Sequence, residues 1–267
     1  RQQQPKRHQP MDRDINQSKE RNMKLNVLGS DSNGNCYILQ TDKEALIIEA
    51  GVRMSEVKKA LKWKISKVVG AAISHEHNDH AEHIKEFIAN GITVLAHPCV
   101  FKAKGIENLS FRKEIHPHQG YIVGGFKIRT IPVCHDVPCL GFVIEHEDMG
   151  KLLFITDTMM LEYRVPNLNH ILLEANYADD ILQAKIDAGL VPLSMKPRLT
   201  QSHMEIRTTK DILQDSDLSG VNEIVLVHLS NGNSNEERFI REVKEVTGKP
   251  VYVATAGLEL NLSKNPY

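Results

Sequence analysis

Short apolar runs alternate with amphipathic segments along most of the chain after residue 22. Apolar runs typical of buried strands cover residues 25–28, 36–39, 45–48, 67–73, 93–96, 141–145, 152–155, 171–174, 223–227 and 251–253. The run over 122–131 contains Gly124-Gly125 and predicts a β-hairpin. Helical spacing predicts helices over 55–63, 81–90, 177–189 and 236–246, and Thr208 followed by Asp211 predicts the start of another. Because strands and helices are interspersed, the pattern predicts an α/β fold.

Residues with reactive side chains follow several of these strands directly. Residues 74–80, which follow the strand over 67–73, read Ser-His-Glu-His-Asn-Asp-His. His135, Asp157 and His228 lie in polar junctions beside other apolar segments, and His203 lies beside a predicted helix start. Loops at one rim of layered α/β proteins carry chemistry, so we expect these residues to meet at one rim.

The segment 74–80 indicates a metal site. Imidazole nitrogens and carboxylate oxygens are the usual donors for zinc and similar divalent ions, and one open position makes such a site catalytic. His75 and His77 leave a strand end in extended backbone and point the same way, whereas Asp79 and His80 open a helix and point elsewhere. This spacing suits two adjacent ions. A solvated polar turn that is rich in histidine by chance is the alternative, and the density of donors disfavours it.

The chain contains 13 histidines, which cannot all be ligands. Six of them are expected to be ordinary surface or hydrogen-bonding residues, namely His8, His83, His116, His118, His146 and His170. His97 follows a strand and is expected to cap a helix or pack in a loop. Each of the two ions needs a further protein ligand, which His135 and His228 can supply, with Asp157 bridging both ions.

Length and composition predict one domain over residues 23–267, since 41% of the chain is hydrophobic and no break in composition divides it. Residues 1–22 are polar and are expected to be a disordered extension or an expression remnant. The formal net charge of −1 gives no global attraction to nucleic acid, so such a partner requires a local patch. No apolar run is long enough for a membrane span, and four cysteines without a CxxC pair favour a reduced, cytoplasmic protein.

The motifs resemble those of the metallo-β-lactamase-fold hydrolases from about residue 23 to the end of the chain. Four motifs match in the order of that family, and the matched residues are His75, His77, Asp79, His80, His135, Asp157 and His228. The first four of these residues form the family signature HxHxDH. The resemblance implies a four-layer αββα sandwich, in which two mixed β-sheets are flanked by helices.

Within that superfamily the chain is most similar to the YycJ (WalJ)-like branch, which is associated with DNA exonuclease activity. Three segments carry this resemblance: residues 29–36, which end in Gly-Asn-Cys, the Leu-Glu-Ala-Asn segment 173–176, and Ser202-His203 followed by His228-Leu229-Ser230. The last pair of motifs is also similar to ribonuclease Z, in which the earlier histidine serves phosphate handling. The resemblance therefore assigns phosphate handling to His203.

The resemblance implies a phosphodiesterase with two divalent ions, Zn²⁺ or Mn²⁺. One ion is assigned to His75, His77 and His135. The other ion is assigned to Asp79, His80 and His228, and Asp157 bridges the two. Asp79 is also expected to orient the attacking hydroxide, and His203 is expected to donate a proton to the leaving oxygen.

One position departs from the family pattern. The family has an aspartate in an Asp-x-Gly turn after the third strand, and this chain has Glu49-Ala50-Gly51. That residue supports a metal-binding histidine through a hydrogen bond, which glutamate can do only if the backbone accommodates its extra methylene. The large insertion of β-CASP nucleases is absent, because the stretch from Asp157 to His228 is too short to contain it.

The sequence leaves the substrate and the oligomeric state open. Nucleic acid is favoured, with DNA ahead of RNA, but a cyclic-nucleotide phosphodiesterase and a thioester or lactone hydrolase share this metal centre. A binding protein that holds the metals without turnover is a further alternative, supported only by Glu49. An open trough lined by Lys58, Lys62 or Arg198 would favour a polynucleotide, and a narrow pocket would favour a small nucleotide. A homo-oligomer stays open, and no membrane partner is expected.

Overall fold

The computed structural model describes residues 22–107 and 110–265. Apart from Asn22, the predicted N-terminal extension lies outside these residues. The described chain forms two seven-stranded sheets. In spatial order, the first sheet consists of β14 (Glu259–Asn261), β1 (Lys24–Asp31), β2 (Gly34–Gln40), β3 (Ala45–Ile48), β4 (Val68–Ala72), β5 (Val94–Ala96) and β6 (Arg112–Glu114). The second sheet consists of β13 (Val251–Val253), β12 (Glu223–Val227), β11 (His170–Glu174), β10 (Gly150–Ile155), β9 (Cys139–His146), β8 (Phe126–Val133) and β7 (Gly120–Val123).

Both sheets mix parallel and antiparallel pairs. In the first sheet β1, β2 and β3 form an antiparallel meander, and β3, β4, β5 and β6 are parallel. In the second sheet β7 to β10 are antiparallel, and β10 to β13 are parallel. The parallel strands require crossover connections, which contain most of the helices. The helices are α1 (Met54–Ala60), α2 (Asn78–Ala81), α3 (Ile84–Ala89), α4 (Pro98–Ala103), α5 (Asp179–Asp187), α6 (Lys196–Ser202), α7 (Ile206–Gln214) and α8 (Glu236–Thr247).

Three buried clusters of apolar side chains define the layers. One cluster lies between the sheets and includes Leu39 of the first sheet and Phe142 of the second. Another packs α1, α3 and α4 on the outer face of the first sheet and includes the buried Phe87. A third packs α7 and α8 on the outer face of the second sheet through residues such as Phe239. The predicted four-layer αββα sandwich with two mixed sheets is confirmed.

Two predicted helix starts differ from the structure. The helix predicted over 81–90 consists of α2 and α3, and α2 already begins at Asn78, directly after His77. The helix predicted to start near Thr208 begins at Ile206, because the side chain of Glu205 accepts a hydrogen bond from the backbone N–H of Arg207 and caps it. The Thr208 start was therefore wrong.

All four cysteines are free, as their spacing predicts. Within residues 22–107 and 110–265, no helix combines the length and the apolar character needed to cross a bilayer.

The loop after β3 fixes the position of α2 through backbone contacts. The N–H of Ala50 donates to the carbonyl of His80 at 2.7 Å, and the N–H of His83 donates to the carbonyl of Ala50 at 3.0 Å. Gly51 lies so close to α2 that a Cβ atom there would be 1.8 Å from the carbonyl oxygen of Asp79. The glycine is therefore required because the backbones of the loop and of α2 touch.

Gly51→Ala is expected to destabilise the protein by about 3 kcal/mol or more, since backbone on both sides must move to admit the methyl group. Gly120→Ala is the matched control, because no atom lies within 4 Å of the corresponding Cβ. Urea unfolding of the two variants measures the difference. Equal unfolding midpoints for both variants would contradict the close approach of the loop to α2.

Candidate metal centre

The predicted site residues leave strand ends at one rim of the sandwich. Residues 74–80 follow β4, His135 follows β8, Asp157 follows β10 and His228 follows β12. Asp157 and His228 adopt left-handed backbone conformations, with φ of 51° and 57°. Residues other than glycine rarely adopt this backbone conformation. It recurs at functional sites, where the surrounding structure imposes it. The sharp turns bring both side chains back across the rim toward residues 74–80.

The first donor set consists of three imidazoles. His77 Nδ1 lies 3.1 Å from His75 Nε2 and 3.2 Å from His135 Nε2. All three ligand atoms lie within 4.8 Å of one another. Donors placed tetrahedrally about 2.0–2.1 Å from a zinc ion lie about 3.3 Å apart, so the observed spacing fits a common cation.

The second donor set lies beside the first. His80 Nε2 is 3.1 Å from Asp79 Oδ2, and His228 Nε2 is 3.2 Å from the same oxygen. Asp157 Oδ2 is 3.0 Å from His80 Nε2 and 3.7 Å from His228 Nε2. Carboxylate and imidazole donors at this spacing also fit a divalent ion.

Asp157 lies between the two sets. Its ligand oxygen forms a compact group with His75 of the first set and His80 of the second, within 4.8 Å. The rings of His75 and His80 lie 4.3 Å apart, centroid to centroid. The structure therefore brings together all seven residues predicted as ligands, and it places Asp157 where the sequence-based assignment expected a bridge. Their binding of metal stays a prediction.

The electrostatics of the site favour positive charge at its centre. Burial alone would lower the pKa of His228, but Asp157 and the hydrogen-bonding carboxylates of Asp79 and Glu174 raise it to about 10. Burial opposes protonation of His80 in the same way, and Asp157 and Glu49 nevertheless raise its pKa well above the usual value. The carboxylates that hold protons on these imidazoles would equally attract a cation. Burial and neighbouring imidazoles lower the pKa of His75, which leaves it neutral, as a metal ligand must be.

Glu49 lies behind His80, on the side expected of a supporting carboxylate. It is fully buried, and its carboxylate accepts a hydrogen bond from the backbone N–H of Ser74 at 3.2 Å. Its Oε1 lies 3.6 Å from His80 Nδ1, which exceeds hydrogen-bond length, and Nδ1 has no hydrogen-bond partner. The backbone of Glu49 has a φ of 67°, so the turn that carries the longer side chain is a left-handed one. The role of Glu49 as a support for His80 stays a prediction.

His203 lies at the edge of the second donor set and is held by a carboxylate that sequence reasoning did not include among the site residues. Its Nδ1 hydrogen-bonds Glu174 Oε1 at 2.8 Å, and its ring stacks on that of His228 at 5.3 Å. Burial lowers the pKa of His203, but the adjacent Glu174 and Asp157 raise it above its usual value. Glu174 belongs to the segment 173–176, which resembles the YycJ-like branch. That resemblance assigns no role to the residue.

Three further residues that the sequence did not single out support the ligands. The side-chain amide of Asn176 donates to the carbonyl of His228 at 2.8 Å, and Ser30 Oγ accepts from the backbone N–H of His228 at 2.9 Å. The amide of Asn35 lies 3.2 Å from His80 Nε2. The only available signal was their membership of segments resembling the YycJ-like branch.

Asp136 is the most exposed carboxylate of the site. Its Oδ1 lies 3.4 Å from His77 Nε2 and 3.1 Å from His135 Nε2. Its side chain is 42% exposed, so it faces the cavity in front of the first donor set. It adds negative charge on the solvent side of the imidazoles.

A cavity of about 680 Å³ opens onto both donor sets. Met195, Arg198 and Leu199 line the same cavity as His77 and Asp79. Lys58 and Lys62, which the sequence suggested as further basic residues, are not part of its lining. Arg198 therefore supplies the cation predicted for an open trough.

Four of the histidines assigned to ordinary roles have local structural contacts in the described chain. The side chain of His97 caps α4 by accepting a hydrogen bond from the backbone N–H of Cys99. His83 contacts Glu86, His146 contacts Glu44, and His170 contacts Glu223. His8 lies outside the described residues.

The chain thus combines an αββα fold with two adjacent sets of candidate metal donors at one rim. Residues 29–160 match the model of the metallo-beta-lactamase superfamily, so the chain carries a metallo-β-lactamase domain. This match includes both donor sets except His228 and ends before Glu174 and His203.

Two curated relatives and one solved structure are similar to the chain. Exodeoxyribonuclease WalJ of Streptococcus pneumoniae serotype 2 is 24% identical over 80% of this chain and 84% of its own length. Exodeoxyribonuclease YycJ of Bacillus anthracis is 25% identical over 83% of this chain and 88% of its own length. The metallo-beta-lactamase fold protein YhfI of Bacillus subtilis superposes with a TM-score of 0.70 at 19% identity, covering 90% of this chain and 99% of that chain.

Proposed function

We propose that the protein is a metal-dependent phosphodiesterase that hydrolyses nucleic acid, with DNA as the preferred substrate and exonuclease action as in the relatives. The observation that carries the proposal is the position of His203, which is hydrogen-bonded to Glu174 beside the second donor set and faces the cavity. A proton donor at this position can protonate the alkoxide that leaves when a phosphodiester bond is hydrolysed. The names of the two exodeoxyribonucleases support the same substrate class.

The residues fit two divalent ions, Zn²⁺ or Mn²⁺, since the predicted ligands include no thiolate. His75, His77 and His135 would hold one ion, Asp79, His80 and His228 would hold the other, and Asp157 would bridge them. Bound there, the ions supply Lewis acidity, which activates water and offsets charge on the phosphate oxygens.

The protein's own groups would perform the remaining steps. Asp79 reaches His80 and His228 through Oδ2, so its other oxygen is available to orient the attacking water. Glu174 accepts a hydrogen bond from the Nδ1–H of His203, which leaves Nε2 as the nitrogen that serves the substrate. A proton held at Nε2 passes to the leaving oxygen as the P–O bond breaks. Arg198 lies in the cavity wall, where its guanidinium can pair with a phosphate of the substrate.

A substrate panel tests this proposal. Linear DNA, RNA, cyclic nucleotides, thioesters and lactones are each assayed with Mn²⁺ and with Zn²⁺. We expect turnover of linear DNA, with RNA slower. Turnover confined to cyclic nucleotides, thioesters or lactones would contradict the nuclease proposal, and metal-dependent DNA binding without any turnover would identify a non-catalytic module.

Removal of metal is expected to abolish the activity. Dialysis against a chelator should reduce turnover of DNA to the background rate, and added Mn²⁺ or Zn²⁺ should restore it, because the proposed mechanism assigns the activation of water to the bound ions. Elemental analysis of the untreated and dialysed protein gives the number of ions per chain. Full activity in protein that contains no divalent ion would contradict the proposed mechanism.

A further inference from the structure

A second cavity lies on the outer face of the second sheet, away from the donor sets. It has a volume of about 310 Å³, and β8, β9 and β10 form its floor. Its polar lining is mainly basic and aromatic. We use the name basic groove for the residues His118, Arg129, Lys151, Tyr163 and Arg164.

The groove has an excess of positive charge in a chain whose net charge is −1. The acidic residue of its lining, Glu145, pairs with Lys151 at 3.5 Å. Arg164 lies 3.5 Å from Asp215, but these side chains are 80% and 74% exposed, so water screens the pair strongly. Within residues 22–107 and 110–265, Arg129 forms no ion pair. Two guanidinium groups are thus available to an anionic ligand.

An aromatic side chain lies beside these cations. Tyr163 is 36% exposed, and its ring lies 5.8 Å from that of His118, at an interplanar angle of 61°. Exposed aromatic rings next to arginine are the combination by which proteins bind single-stranded nucleic acid, since bases stack on the ring and phosphates pair with the cations. The groove therefore offers cations for the phosphates of a nucleotide strand and an aromatic ring for its bases.

The segment 158–166 connects the groove to the candidate metal centre. It begins directly after Asp157 and is held near His135 by a hydrogen bond from the N–H of Met159 to the carbonyl of Cys134, at 3.3 Å. Met159 and Met160 are exposed and lie between Asp157 and Tyr163 in the sequence. Arg129 precedes His135 by six residues, mostly in β8, which corresponds to about 20 Å along the strand. At 3.4 Å per stacked base this distance corresponds to about six nucleotides.

We infer that the basic groove binds the part of a nucleic-acid strand that extends away from the metal centre. The inference deepens the proposed function and rests on it, because it assumes that the strand also enters the metal centre. On the segment that joins the two places, the exposed Met159 and Met160 would offer apolar contacts to the bases. Short oligonucleotides would contact only the metal centre, and strands longer than about six nucleotides would also reach the groove.

Binding of strands of different length tests the inference. Fluorescein-labelled, phosphorothioate-linked oligothymidylates of 2 and 16 nucleotides are titrated against the metal-loaded protein, and anisotropy gives Kd over a range of salt concentrations. The variants are Tyr163→Leu and the double variant Arg129→Gln/Arg164→Gln. Arg241→Gln is the matched control, because Arg241 is an exposed arginine on α8 outside the groove.

For the 16-nucleotide strand, the double variant is expected to reduce the slope of log K against log salt by about 1.4, since two phosphate contacts are lost at about 0.7 each. Tyr163→Leu is expected to raise Kd about tenfold through loss of stacking. The 2-nucleotide strand should bind all variants alike, and Arg241→Gln should match the parent. The same experiment with oligouridylates tells whether the groove prefers DNA or RNA.

Unchanged salt slopes and affinities in the groove variants would overturn the inference, as would equal losses with Arg241→Gln. Turnover of unmodified oligothymidylate by the parent protein is measured in parallel. Its absence would contradict the proposed function, whereas the comparison of variants in binding tests the groove alone. Urea unfolding midpoints equal to that of the parent verify that these exposed substitutions leave the fold intact.

Discussion

Asp157→Ala is expected to bind fewer metal ions than the parent and to lose about a thousandfold or more in DNA turnover. Asp157 lies between the two donor sets, since its ligand oxygen lies within 4.8 Å of the ligand atoms of His75 in the first set and His80 in the second. Its removal takes away the negative charge that lies between the two donor sets. Several kcal/mol of charge stabilisation in the transition state depend on the ions, and each 1.36 kcal/mol corresponds to a tenfold change in rate.

Elemental analysis and steady-state kinetics measure this effect. Asp157→Asn preserves the shape of the side chain, so its comparison with Asp157→Ala separates loss of charge from loss of packing. Asp42→Ala is the matched control, since Asp42 is an exposed aspartate in the turn between β2 and β3. If the metal content and turnover of Asp157→Ala equal those of the control, Asp157 does not bridge the two sites.

The buried layers could be predicted from the sequence because their strands are uninterrupted apolar runs. Residues 45–48, 223–227 and 251–253 were predicted as strands and coincide with β3, β12 and β13. These strands are short and are bounded by polar residues, so that little else could explain their pattern. By contrast, β6 and β14 have three residues each and contain no fully buried residue, so no apolar run marks them.

The proximity of the predicted ligands also follows from the sequence. The ends of β4, β8, β10 and β12 each carry a histidine or an aspartate, and strand ends on the same rim of a sandwich meet. The carboxylates behind the ligands could not be predicted in the same way. Glu174 is the last residue of β11 and is fully buried, and only the folded chain shows that its carboxylate lies between His203 and His228.

The basic groove is likewise a property of the fold. Arg129, Lys151 and Arg164 are separated by 22 and 13 residues in the sequence. The pairing of β8 with β9 and of β9 with β10, together with the return of the segment 158–166 over this face, assembles them. The net charge of −1 gave no sign of such a patch.

The second large effect is expected at His203. His203→Ala should lower kcat for DNA by about 10²–10⁴-fold, the range that a positioned proton donor contributes, while the metal content stays equal to that of the parent. His203 is not among the predicted ligands, so its removal is expected to spare the ions. Because its ligand atom lies within 4.8 Å of those of Asp157 and His228, elemental analysis of the variant checks the metal content directly. Glu174→Gln should also lower kcat, by a smaller factor. The amide oxygen can still accept a hydrogen bond from the Nδ1–H of His203, but the side chain no longer carries the negative charge that favours a protonated ring.

The choice of leaving group distinguishes proton donation by His203 from a merely structural role. Bis(p-nitrophenyl) phosphate releases p-nitrophenolate, which needs no proton, whereas a nucleotide alkoxide does. His203→Ala should therefore lose far less activity on the aryl ester than on DNA. His83→Ala, at a surface histidine paired with Glu86, is the matched control and should behave as the parent on both substrates. Equal losses of His203→Ala on the two substrates would contradict proton donation and indicate that His203 only supports the ring of His228, on which it stacks at 5.3 Å.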